Sequence, residues 1–85
     1  MSYSLEYLVN VTLKDVIPYI SEIRWMQEKI EEILKKVSQI NEFMAVLEEE
    51  IKREALTRKT DLKIFLTYFQ KRVKSIASKE RAERT

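Results

Sequence analysis

Residues 23–51 read IRWMQEKIEEILKKVSQINEFMAVLEEEI, and the fold class turns on this stretch. Ile23, Met26, Ile30, Ile33, Val37, Ile40, Met44, Leu47 and Ile51 follow one another at alternating steps of three and four residues. A repeat averaging 3.5 residues lines one edge of an α-helix, and so apolar an edge must be buried against another helix. The spacing predicts a coiled-coil contact, and these nine residues are the candidate oligomer seam.

The flanks of the stripe say which kind of contact. In a parallel dimer the neighbouring pairs would be Glu22 with Gln27, Lys29 with Leu34, Lys36 with Asn41, Phe43 with Glu48 and Glu50 with Ala55, and none joins opposite charges. Such pairs normally fix partner and orientation, so a parallel zipper is disfavoured. Leu34 and Phe43 also widen the apolar face, as in a helix with more than one neighbour. The fold class expected is all-α: a long-helix coiled-coil hairpin or a three-helix arrangement, completed as an antiparallel bundle by oligomerisation. Itself is thus the first partner expected, as a dimer.

Upstream, residues 3–13 carry two periods at once. Tyr3, Leu5, Tyr7, Val9, Val11 and Leu13 alternate as in a half-buried strand, whereas Leu5, Leu8, Val9, Leu13, Val16, Ile17 and Ile20 fit one helical face. A lone strand would need a partner strand from another copy, so helix is the favoured alternative. Pro18 is tolerated in a first helical turn, and Asp15 just upstream is a plausible cap, which places a bend near 15–18. Downstream, Leu62, Phe65, Phe69, Val73 and Ile76 form a second stripe. Thr60 is a candidate cap for it, with 57–59 as a short connection; the alternative is one helix running through with a local change of period.

A single helical domain is expected over 1–85: an N-terminal segment over about 2–16, a long helix over 19–56, a basic amphipathic helix over 61–81 and a tail over 82–85. A helix over 19–56 would be about 57 Å long, more than one small core covers. The chain has no Gly and a single Pro, which removes the left-handed helix stops that Gly supplies and argues for long uninterrupted helices. At 85 residues the core is small. With no Cys and no His, disulfides and the usual zinc, haem and iron–sulfur ligand sets are excluded. Self-association is the remaining way to bury more apolar surface.

Trp25 lies off the seam. Either the N-terminal segment folds back over residues 19–34 and buries it, or Trp25, Tyr19 and Tyr7 form a docking patch for another protein. Charge divides unevenly. Residues 57–85 hold nine Lys or Arg against three acids, a net of +6, while residues 1–56 hold seven against eleven, a net of −4. Lys63, Lys71, Lys74 and Arg81 fall largely opposite the second stripe. Beside plain solvation, three uses compete for that cationic strip: lying beside the acidic runs of this or a sister chain, sequence-independent contact with nucleic-acid phosphates, and contact with an acidic protein or an anionic membrane surface.

Catalysis is the least supported class. No catalytic, cofactor-binding or metal-ligating residue is assigned: without His, Cys or Gly the commonest general base, the thiolate nucleophile and the glycine-rich phosphate loop are all absent. No uncharged run reaches the ~18 residues of a membrane span and no signal peptide is evident, so membrane is not an expected partner and a cytoplasmic location is. The Glu, Lys and Ile bias fits a hot-living source and long helices equally well. The function expected is a non-enzymatic, self-associating helical adaptor or accessory subunit of a larger complex; the alternative is a sequence-independent nucleic-acid-binding protein using the basic C-terminal helix.

Overall fold

Four amphipathic helices, joined by corners made without glycine, carry the apolar stripes to a common core. The computed structural model describes residues 4–84, with side chains as far as Ile76, and these residues are helical apart from their corners. The helices are α1 (Leu5–Val16), α2 (Ile23–Leu34), α3 (Ile40–Arg53) and α4 (Leu56–Arg84), with a 3-10 turn at Ile17–Tyr19 between α1 and α2. The molecule measures 45 × 26 × 19 Å. At 1.5 Å per residue α4 alone is about 43 Å long, so it sets the long dimension.

The N-terminal segment is helix, not strand. Ser4 caps it, its side chain accepting a hydrogen bond from the Tyr7 amide at 3.1 Å, and Leu8, Val9 and Val16 line its buried face. Thr12 is buried on the same face, where its hydroxyl donates to the Leu8 carbonyl at 2.7 Å. Pro18 then falls in the 3-10 turn rather than at the head of a long helix. Asp15 caps nothing; it lies within α1 and pairs with Arg72 of α4.

The expected continuous helix over 19–56 is two helices. The chain leaves the helix after Leu34 and re-enters it at Ile40, with Gln39 extended at φ −119°, ψ 152°. A straight rod would separate Ile23 from Ile51 by about 42 Å, beyond the reach of one small core. Folding at 35–39 brings both halves of the stripe onto the same interior. The second corner is also earlier than expected: α3 ends at Arg53, and Glu54 is extended at φ −85°, ψ 154°. Thr60 therefore lies inside α4, its hydroxyl bonded to the Leu56 carbonyl at 2.9 Å, and does not cap it.

No described residue has a positive φ. Each corner turns instead through an extended residue, Ile20, Gln39 or Glu54, which any side chain tolerates. Absence of Gly thus dictated the kind of corner, not its absence.

α4 is the central element and packs against α1, α2 and α3. Its Leu62, Phe65 and Phe69 are fully buried, and Val73 and Ile76 pack half-buried beside them. Phe43 of α3 joins Phe65 and Phe69 in a ring cluster, with centroids 5.1 Å apart for Phe43 and Phe69, 5.9 Å for Phe65 and Phe69 and 6.0 Å for Phe43 and Phe65. Of the nine stripe residues, Met26, Ile30, Ile33, Leu47 and Ile51 are buried in this core, Val37, Ile40 and Met44 are half-buried, and Ile23 is exposed. The stripe finds its burial largely within one chain, in a four-helix arrangement rather than a hairpin or three helices.

Candidate functional site

Asp61 is the residue that the periodicity gave no role. It sits at 1% exposure in the first turns of α4, and its carboxylate faces the start of α2, where Oδ1 accepts from the Ser21 amide at 3.2 Å and Oδ2 from the Glu22 amide at 3.0 Å. The first amides of a helix have no partner within it, and a carboxylate there also meets the positive end of the helix dipole. Glu22, the residue preceding α2, makes no side-chain cap of its own. Its carboxylate instead pairs with Arg58 of α4 at 3.2 Å. A single turn of α4 therefore holds the α1–α2 corner by two contacts.

That corner carries the most accessible apolar side chains of the segment: Tyr19 at 59% exposure, Ile23 at 38% and Ile17 at 37%. They stay outside because Val16 and Ile20 take the inward positions around the turn. Trp25 is half-buried against the core, and the Arg58 guanidinium of α4 lies 4.8 Å from its ring centroid. Such a cation–π contact contributes about 0.5–1 kcal/mol at an accessible site. Tyr19 meets Tyr68, with centroids 6.0 Å apart, and Tyr7 lies near the start of α1.

Between α1 and α4 runs a groove of about 390 Å³, lined by Tyr7, Leu8 and Asp15 from α1 and by Tyr68, Lys71, Arg72, Ser75 and Ile76 from α4. Three of the α4 residues are polar or cationic because they lie just beyond the buried stripe. The Lys71 ammonium is 5.7 Å from the Tyr68 centroid, and Arg72 is held by Asp15. A second groove, of about 600 Å³, is lined by Leu5, Leu34 and Val37 together with Glu6, Glu31 and Lys35.

The charge division is partly consumed inside the chain. Arg58 and Arg72 of the basic third meet Glu22 and Asp15 of the acidic part, and Lys29 joins α2 to α3 through Glu50 at 3.5 Å. Lys63, Lys71 and Lys74 remain exposed and pair with no carboxylate among the described residues; Lys36 and Lys52 bridge to Glu32 and Glu49 on their own helices or corners. The Arg81 side chain lies outside the described residues. No three acidic side chains converge as metal ligands among the described residues, and no described helix is long and apolar enough to cross a membrane.

Residues 7–74 match the MJ1579 family, a span from the first turn of α1 into the second half of α4. No curated protein and no solved structure matches the chain.

Proposed function

The chain belongs to the MJ1579 family, and we propose that it is a non-enzymatic, self-associating helical adaptor or accessory subunit of a larger complex, working in the cytoplasm. The observation that supports this best is the corner formed by Ile17, Tyr19 and Ile23. Most of the seam is already buried within the chain, so the surface left for a second copy is the one the core does not use. Three accessible apolar side chains on a segment clamped by Asp61 and Arg58 are a rigid apolar platform, and interface anchors are typically preorganised aromatic and aliphatic groups of this kind.

The test separates assembly from folding. Ile33 is unsuitable, because Asp at that buried position would unfold the monomer. Tyr19→Ser with Ile23→Ser touches accessible positions only. Light scattering is expected to give a dimer for the natural chain and a monomer for the double variant at the same concentration, with helicity by circular dichroism unchanged. Burying side chains of this size contributes about 1.5–3 kcal/mol each, enough to weaken a dimer more than tenfold. A natural chain that stays monomeric up to near-millimolar concentration overturns self-association.

A second reading has its own observation. Lys63, Lys71 and Lys74 are exposed on α4 and form no ion pair among the described residues, as a strip that contacts phosphates would. Lys71→Glu with Lys74→Glu is expected to abolish duplex retention at low salt, and the natural chain's retention is expected to fall steeply as salt rises. No retention of any nucleic acid at low salt sinks this reading.

A further inference from the structure

We propose that the groove between α1 and α4 binds single-stranded nucleic acid, with an unpaired base against Tyr68 and phosphates on Lys71 and Arg72. The proposal rests on the nucleic-acid reading of the basic helix and goes further in naming the site and the strand form. Lysines on a solvent face would suit any polyanion. This groove differs, because aromatic rings and cations line one cleft.

Tyr68, Lys71, Arg72 and Ser75 occur at steps of three, one and three residues, which puts them along one side of α4. α1 runs antiparallel to that stretch, since Asp15 meets Arg72 while Tyr19, further along the chain, meets Tyr68. The α4 wall from Tyr68 to Ser75 is about 10 Å long, room for a short run of nucleotides.

Each side chain is already placed for this ligand. The Lys71 ammonium rests near the Tyr68 ring in a weak, solvent-accessible contact, so a phosphate can draw it away while a base takes its place on the ring. Asp15 fixes Arg72 but takes at most two of the five guanidinium N–H donors, leaving others for a phosphate oxygen. The Asp15 carboxylate repels phosphate from its own side and so directs the backbone toward Lys71 and Ser75. Tyr19 packs on Tyr68 and extends the aromatic surface at that end. Ring faces can stack only on bases that are not paired in a duplex, and this selects the single strand.

The test is fluorescence anisotropy of the full chain with a short labelled oligouridylate, an oligothymidylate and a mixed-sequence duplex, at low and at moderate salt. Single strands are expected to bind more tightly than the duplex. Tyr68→Ala is expected to weaken single-strand binding roughly 5- to 100-fold, the effect of one stacked base, while Tyr68→Phe retains it. Lys71→Gln, at an exposed position that leaves the core untouched, is expected to lower the salt slope by about one charge, and it stands as the test if Tyr68→Ala loses helicity. Duplex bound as tightly as single strand, with Tyr68→Ala without effect, overturns the groove and leaves the lysine strip standing. Failure to bind either form overturns both. Equal binding of polyglutamate shows a mere polyanion surface and overturns the proposal.

Discussion

Phe69→Ala lowers stability by about 3–5 kcal/mol, seen as a fall in the urea midpoint of unfolding with an unchanged denaturant slope. Phe69 is fully buried, and it touches both other rings of the cluster, with Phe43 at 5.1 Å and Phe65 at 5.9 Å. Removing it deletes the ring that joins α3 to α4 and opens a cavity between two helices whose backbones cannot close it without breaking the Phe43 and Phe65 contacts. A chain of 85 residues has about 4–13 kcal/mol of total stability at typical per-residue values. This one substitution therefore removes a large share of it. Phe69→Leu, which refills most of the volume, is expected to cost less than half as much. A loss below about 1 kcal/mol for the alanine variant would mean that the three rings are not packed as described.

Asp61→Ala has the next largest expected effect, a fall of roughly 10–20 °C in Tm by circular dichroism. The substitution orphans the Ser21 and Glu22 amides at the start of α2 and removes two charge-assisted hydrogen bonds, a loss of about 2–3 kcal/mol. For a domain of this size each kcal/mol moves Tm by about 4–8 °C. Asn at the same position keeps one acceptor but turns an N–H donor toward the other amide, so Asp61→Asn is expected to recover about half of the loss. By contrast, Arg58→Gln should cost no more than about 2 kcal/mol, because it removes an exposed ion pair worth at most about 1 kcal/mol together with the cation–π contact to Trp25. If Asp61→Ala and Arg58→Gln had equal effects, the clamp would be an ordinary surface contact.

Burial of the three phenylalanine rings was legible in the sequence, whereas their meeting across α3 and α4 and the clamp were not, and the difference is physical. Phe65 and Phe69 sit in the stripe that begins at Leu62, and Phe43 widens the first stripe. Burial of such residues follows from the periodicity of one helix, a local property. Asp61 acts across 39 and 40 residues of chain on amides that have no side-chain signature. One signal was available: an acid beside Leu62, on the apolar side of an otherwise basic helix, is costly to bury without donors and so points to donors elsewhere. The groove was hidden for a related reason. No spacing in the sequence relates Tyr7 to Lys71, and only packing of α1 against α4 sets them along one cleft.

The sequence by itself determined that the chain downstream of Pro18 is helical, where its two main apolar stripes run, and that the second stripe belongs to a basic helix, while residues 3–13 read as helix or strand. Those follow from spacing within a few turns. Only the tertiary structure decided where the helices stop. Val37 and Ile40 keep the stripe in phase across 35–39, so periodicity reads straight through a corner that the chain in fact makes there. A helix breaks where doing so buries both of its halves, and that gain exists only once α4 supplies the surface both halves share. The same step turned much of a stripe suited to an oligomer seam into the interior of one chain, and left Ile17, Tyr19 and Ile23 exposed at a corner and a groove open between α1 and α4.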